Sequence, residues 1–442
     1  MKQVSINRKI QKHLLHWKED KKHKVLLLRG ARQVGKTYSI RELGKTFPHY
    51  IEINLDENPD IHYLFEGQLN PQKIYSTLSV LSSVPIIPGK TLIFFDEIQA
   101  CPNAIRSLRY FYEQFPDLHV VAAGSLLEFV LSEIPSFGVG RISSMYLFPL
   151  TFEEFLTAIH SKLIPVIRNA NSDYPIEDIL HNQLLEYYRI YQLIGGMPEV
   201  IAAYLGEKDL LKCMTILDNL ISSLQDDFAK YKKRSPVALL REVFQSTAIQ
   251  AGGKFVFKNG SAFTTGKSVK TSLELLNQAG LIYKIPHTSA NGLPLGAEVN
   301  WKKFKVIPFD SGIYQRLLGF SLKDYFTTET ALLNNAGSLA EVAAGLQLMY
   351  CQNPFIRPEL YYWHREAKNS NAEVDFVIQL GSDIVPIEVK AGTKGQMQSI
   401  QLFMDKRKLK RGIRTSLENF SHYGKIDVIP LYAIGMLNQN EK

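Results

Sequence analysis

Short, continuously apolar runs alternate with stretches of helical period over the first third of the chain. Residues 25–28 read VLLL, 92–95 LIFF and 119–123 HVVAA. Runs this short, apolar at successive positions, suit strands covered on both faces, as in a parallel sheet flanked by helices. The alternation, to about residue 155, therefore predicts an α/β segment. From about 175 to 229 the apolar spacing turns helical, through LLEYYRIYQLIGG and MTILDNLISSLQDDF, until Ser235 and Pro236 break it. Two more helical patterns follow, VALLREVFQSTAIQAGG and SVKTSLELLNQAGLIYKI. A polar stretch rich in Gly, Asn and Pro then leads into WKKFKVIPFD. Helix, helix, strand, wing and strand is the order of a winged helix, with residues 268–278 as its recognition-like helix; such modules either read DNA or join domains. In the last third, residues 359–366, 373–380 and 384–391 predict three strands joined by short Asn/Ser/Gly turns.

The first apolar run leads into Gly30, Ala31, Arg32, Gln33, Val34, Gly35, Lys36 and Thr37, a complete phosphate-binding loop. Strand, glycine-bearing loop and helix start let successive backbone N–H groups face an anion, with the helix terminus adding positive partial charge. Lys36 is expected to neutralise β- and γ-phosphate charge and Thr37 to supply a Mg²⁺ ligand. The LIFF strand ends in Asp96 and Glu97. Asp96 is expected in the Mg²⁺ shell, and Glu97 as the general base on the attacking water. After the third strand, Ser125 is a candidate sensor of the γ-phosphate or an ordinary turn serine.

Length and composition narrow the setting. At 442 residues the chain is long enough for several domains. A hydrophobic share of 45% with 21% charged residues is that of folded globular protein. Three scattered cysteines, Cys101, Cys213 and Cys351, argue against a disulfide framework or a cysteine metal cluster. No apolar run is long enough for a bilayer and the basic N-terminus lacks a secretory pattern, so a cytoplasmic protein with no membrane partner is expected. A net charge of +8 favours polyanionic partners. Its clusters, at 230–234 and 406–411, read either as nucleic-acid contacts or as solvated helix faces.

A second constellation lies in the C-terminal strands. Alternation puts Glu373 and Asp375 on one face of 373–380, and Glu388 and Lys390 on one face of 384–391. Asp375 and Glu388 on adjacent strands are candidate Mg²⁺ ligands, with Lys390 orienting a water or steadying charge on a scissile phosphate. Glu341, in the helical run GSLAEVAAGLQLMY, is a candidate third carboxylate. The alternative is a polar sheet face with a salt bridge at Lys390. His364 is either a further polar contributor or a structural histidine.

These motifs, in this order, resemble the prokaryotic AAA-type ATPases that carry a C-terminal domain of unknown function with a restriction-endonuclease-like core of the PD-(D/E)XK class. The resemblance covers nearly the whole chain. It rests on GARQVGKT, LIFFDE, AAGS, Gly140-Arg141 followed by FPLTFEEF, the GGMPE run at 195–199, VIPFDSG, EVDFVI and IEVK. It implies an α/β multidomain chain: a P-loop ATPase core of AAA type with a parallel sheet at 1–155, a helical lid at 156–235, a winged helix at 236–322 and a restriction-endonuclease-like α/β domain at 323–442. It further implies ATP and Mg²⁺ as cofactors, and a preference for ATP over GTP. Under it Arg141 is an arginine finger or sensor, or else forms a plain salt bridge. Pro198 belongs to a lid motif near the adenine, or simply ends a turn. The function expected is ATP hydrolysis acting on DNA, with nucleotide state controlling the winged helix and the nuclease-like domain. The alternative is a nucleotide-dependent signalling switch or scaffold whose nuclease-like domain binds but does not cut; a chaperone-like ATPase ranks third. A homo-oligomer is open under each.

Overall fold

The computed structural model describes residues 6–67, 69–125, 127–133, 140–232, 234–262, 264–323, 336–366 and 372–439. Lys233 of the first basic cluster, Gly138 and Val139 before Arg141, and the turn at 367–371 lie outside the described residues. The chain divides into two compact units. One is Asn7–Phe148 with Asn353–Arg357; the other holds Pro149–Gln352 and Pro358–Lys442 with Met1–Ile6. The segments expected at 156–235, 236–322 and 323–442 thus share one unit.

In the Asn7–Phe148 unit, β1 (Val25–Arg29), β2 (His49–Asn54), β3 (Thr91–Asp96), β4 (His119–Ala123) and β5 (Ile142–Tyr146) form a parallel sheet of order β2-β3-β4-β1-β5. Every residue of β3 and β4 is buried, because helices cover both faces. Ile93 and Phe95 of β3 pack with Val120 and Ala122 of β4. Against them lie Ile74 and Leu78 of α3 (Pro71–Leu81) and Ile105 and Leu108 of α4 (Pro102–Gln114). Since α1 (Ile10–Glu19) precedes the sheet, α2 (Lys36–Gly44) is the helix that follows the phosphate loop, and α5 (Leu127–Glu133) follows β4. The loop therefore leaves the carboxyl end of a central strand, with β4 between it and β3.

The second unit opens with helices. Thr151 accepts from the Glu154 N–H while Glu154 accepts from the Thr151 N–H, a capping box that starts α6 (Phe152–His160). After it come α7 (Leu163–Asn169), α8 (Asp178–Ile194), α9 (Pro198–Glu207) and α10 (Leu210–Asp226). Next are α11 (Val237–Ile249), α12 (Gly266–Gln278), and the antiparallel pair β6 (Ile282–Thr288) and β7 (Val299–Pro308), in the order the sequence suggests.

That hairpin is not free-standing. A short helix, α13 (Ser311–Leu317), and the buried α14 (Ala336–Tyr350) intervene before β8 (Tyr361–His364), which pairs in parallel with β6 at His287 and Tyr362. The sheet continues through β9 (Glu373–Leu380) and β10 (Asp383–Val389). Beyond α15 (Gln398–Arg407) it adds β11 (Gly412–Ser416), β12 (Ser421–Tyr423) and β13 (Ile426–Pro430). Eight strands in the order β12-β13-β11-β10-β9-β8-β6-β7 run across the expected boundary at 322/323.

Two separated sequence motifs prove to be one contact. Asp310 caps α13 by accepting from the Ile313 N–H at 3.0 Å, and accepts from the Gly196 N–H at 2.7 Å. Burial pushes this carboxyl up to about 6. Gly195 sits at φ 72°, where a Cβ would lie 2.1 Å from the Asp310 carboxylate, so GG and FDSG fit only as a pair.

Candidate functional site

The phosphate loop is held open from behind. Gly30, at φ 147°, passes so close to the chain leaving β5 that a Cβ would lie 2.1 Å from the Leu147 carbonyl oxygen. Gln33 at φ 63° and Gly35 at φ 95° are also left-handed, which turns the loop sharply ahead of α2. Arg8, buried, donates to the Val34 carbonyl at 2.9 Å and to the Phe148 carbonyl at 2.7 Å. This buttress was not legible in the sequence, where Arg8 is one of many basic residues in an N-terminal stretch.

Inside the loop the Lys36 ammonium donates to the carbonyls of Gly30 at 2.9 Å and Ala31 at 2.7 Å. Burial lowers its pKa to about 8, against the opposing pull of Glu97 and Asp96. Thr37 Oγ1 donates to Asp96 Oδ2 at 2.8 Å, across the intervening strand β4. Asp96 is buried, its pKa raised by desolvation, and its Oδ1 accepts from the Glu97 N–H at 3.0 Å. A hydroxyl and a carboxylate held together in this way are hard oxygen donors, and they suit Mg²⁺.

Glu97 takes a left-handed backbone, φ 47°, directly after the strand. The Gln99 amide donates to its Oε2, and Ser125 Oγ lies 3.4 Å from the same oxygen. Gly124 leaves room for this: a Cβ there would lie 1.9 Å from Gln99 Oε1. Ser125 is thus beside the expected base, and Gln99 is a neighbour that sequence reasoning missed. Arg141 instead donates to Glu113 of α4 at 2.7 Å, in an exposed ion pair. Pro198 is the first residue of α9 in the other unit.

The second constellation assembles around a residue that was not foreseen. β9 and β10 are antiparallel, and their last registered pair, Phe376 with Ile387, puts Asp375 and Glu388 next along. Lys390 donates to Glu388 Oε1 at 2.6 Å, and Asp375 Oδ2 accepts from the Val389 N–H at 2.8 Å. Into this group β7 sends Lys305, its side chain 1% exposed. Its ammonium lies 2.8 Å from Glu341, 2.6 Å from Glu373 and 3.6 Å from Asp375. Glu341, expected as a third metal carboxylate, is a lysine partner instead. The physical reason is that α14 is buried along its length, so the carboxylate faces β7 and needs a countercharge there.

Burial raises the pKa of both Glu341 and Glu388. Glu388 Oε2 is buried without a hydrogen-bond partner. Among the described residues, Glu341, Asp375 and Glu388 do not bring three ligand atoms within 4.8 Å of one another. Lys305 already holds the positive charge that a cation would supply, so these residues do not fit a three-carboxylate Mg²⁺ centre. The basic run at 406–411 is partly engaged as well: Arg407 donates to the Ser289 carbonyl and Arg411 to Asp427.

Residues 22–156 match the family described as AAA domain. Residues 185–324 and 336–434 match two families, each described as a domain of unknown function (DUF8612 and DUF4143). No curated protein matches the chain. Among solved structures it is similar to the Walker-type ATPase PABY2304 of Pyrococcus abyssi, at 15% identity, 71% of this chain, 96% of that chain and a TM-score of 0.46. The Orc1 protein of Aeropyrum pernix in complex with DNA follows, at 12% identity, 72% and 93% coverage and a TM-score of 0.31. A signal-transduction ATPase with numerous domains, PH0952 from Pyrococcus horikoshii, is similar at 12% identity, 78% and 46% coverage and a TM-score of 0.29. The Asn7–Phe148 unit has a P-loop ATPase fold of AAA type, joined in sequence to a mixed-sheet unit. Among the described residues no helix is long and apolar enough to cross a membrane.

Proposed function

We propose that this chain is a Mg²⁺-dependent, ATP-hydrolysing protein that acts on DNA through a winged-helix segment and a nuclease-like sheet. The observation that carries the ATPase reading is the Thr37 to Asp96 hydrogen bond, with Lys36 behind it and Glu97 one residue on. Lys36 exchanges two backbone carbonyls for phosphate oxygens when nucleotide enters. Thr37 and Asp96 would hold Mg²⁺, which would supply positive charge against the phosphates during hydrolysis. Glu97 accepts the proton of the attacking water, with Gln99 and Ser125 fixing its carboxylate and Ser125 sensing the γ-phosphate. Arg141 leaves Glu113 to act on the transferred phosphoryl group of the same or a neighbouring subunit, and Pro198 belongs to a lid motif near the adenine. DNA is the partner that suits the net charge of +8, the exposed Lys267 and Lys270 on α12 and the exposed Trp301 and Lys302 on β7.

For the C-terminal sheet a second reading is favoured by Lys305. Its ammonium balances Glu341, Glu373 and Asp375, so the sheet binds nucleic acid without cutting it and ATP turnover works as a switch. The deciding experiment incubates the protein with linear, supercoiled and single-stranded DNA, with Mg²⁺ or Mn²⁺, with and without ATP. Lys36→Ala and Lys390→Ala proteins run alongside. ATP hydrolysis lost in Lys36→Ala, with DNA bound and left intact, is expected. Cleavage lost in Lys390→Ala overturns the switch reading, and hydrolysis retained in Lys36→Ala overturns the ATPase reading.

A further inference from the structure

His287 and His364 stand on neighbouring parallel strands, β6 and β8, at the seam where the hairpin joins the rest of the eight-stranded sheet. Their rings lie 4.3 Å apart and tilted by 58°, with exposures of 2% and 8%. Nδ1 of each is buried and has no hydrogen-bond partner. An unmade hydrogen bond on a buried polar atom is costly, and two of them side by side need a common reason. His287 Nε2 meets the His364 carbonyl oxygen at 3.3 Å. A carbonyl only accepts, so Nε2 carries the hydrogen and Nδ1 is left as a lone pair. That is how a carbonyl behind a metal-binding histidine sets its tautomer. Glu366, two residues beyond His364 at the exposed mouth of the pair, completes a set of three ligand atoms within 4.8 Å of one another.

We infer that His287, His364 and Glu366 form a site for one divalent transition-metal ion of the zinc type, clamping β6 to β8. Two imidazoles and a carboxylate suit this class rather than Mg²⁺ or Ca²⁺, and three protein ligands leave a fourth position for water. Zinc–ligand distances of about 2.1 Å require ligand atoms roughly 3.4 Å apart, so the set must close inward. Glu366 can supply that movement. It is half exposed, and its present partner is the similarly exposed Lys303, at 2.6 Å from Oε1. Burial lowers the pKa of both histidines, that of His364 to about 4, which keeps them in the neutral form that binds metal. Lys254 and Lys303 are the nearby cations, and Glu366 offsets them. The seam has one registered pair, His287 with Tyr362, so a metal there ties segments matched to two different families.

The test titrates Co²⁺ and then Zn²⁺ into the metal-free full chain, with Mg²⁺ present to saturate the phosphate-loop site. Expected are one equivalent of Co²⁺ with visible bands of a four-coordinate nitrogen/oxygen site, displacement by Zn²⁺, and a Zn²⁺-dependent rise in melting temperature. His364→Ala should lose all three. Glu366→Gln alters an exposed side chain and keeps the fold intact, and it should weaken Zn²⁺ binding at least roughly tenfold. No binding at micromolar metal, binding unchanged in Glu366→Gln, or binding lost instead in Glu388→Gln overturns the site.

Discussion

The Lys305 ammonium and the Glu341 carboxylate meet at 2.8 Å with both side chains buried, although they come from a strand and a helix 36 residues apart in sequence. Burial pulls the lysine pKa down, but Glu341, Asp375 and Glu373 together raise it above its ordinary value, so it stays charged. The carboxylates gain a fixed cation at the point where a nuclease-type centre would gather metal.

Removing that cation should be severe. Lys305→Met is expected to destabilise the second unit by about 3–5 kcal/mol, because it leaves a buried carboxylate uncompensated. Adding Glu341→Gln should restore a substantial part. Urea unfolding of the two single variants and the double variant measures this coupling. Strictly additive losses would show that the pair does not interact.

At the phosphate loop, Lys36→Ala should abolish ATP turnover. Glu97→Gln should retain ATP affinity while slowing hydrolysis roughly 10²–10⁴-fold, the usual worth of a general base. Binding and steady-state turnover measured on one preparation separate the two effects. Loss of affinity in Glu97→Gln would assign that residue a structural role.

The lowered Lys36 pKa predicts an opposed pair of pH effects. A lysine depressed from 10.5 to about 8 binds fewer protons folded than unfolded between those values, so its contribution to stability rises with pH through that window. Nucleotide affinity moves the other way. Above about pH 8 binding must first protonate Lys36, and affinity should fall by up to about tenfold per pH unit. A fluorescent-nucleotide titration from pH 7 to 9.5 reads this directly, and a flat profile contradicts it.

Asp310→Ala leaves the N–H groups of Gly196 and Ile313 buried without their acceptor. Each unsatisfied group costs about 1–3 kcal/mol, so a marked fall in melting temperature is expected. Gly195→Ala should also destabilise, through a Cβ driven into the same carboxylate. A wild-type melting curve for either variant would mean that the two motifs are not coupled.

If α12 lies on DNA, Lys267→Ala and Lys270→Ala should each reduce the slope of log affinity against log salt by about 1, with little change in preference between sequences. An unchanged slope would take α12 out of the interface.

Much of the P-loop unit could be read directly from short windows. The loop at Gly30–Thr37 and the β3 end at Asp96 and Glu97 announce themselves because phosphate chemistry needs particular residues at consecutive positions after a buried strand. The three C-terminal strands were equally plain, since alternation at 373–380 and 384–391 is a local property, and it correctly put Asp375 and Glu388 side by side. Helix α14 was visible too, but the partner of its Glu341 was not.

What the sequence by itself determined, then, is the local chemistry: a nucleotide loop, an acidic strand end, an alternating polar sheet face and the order of helices and strands. Tertiary structure decided which of these meet. In WKKFK, Lys305 looks like one more solvated lysine; only the pairing of β7 with β6, and the packing of α14 over β7, turn it inward among carboxylates. Only the parallel pairing of β6 with β8 carries the hairpin into the larger sheet and brings His287 against His364. Register and burial depend on partners far along the chain, and a buried charge or imidazole takes its role from those partners rather than from its neighbours in sequence.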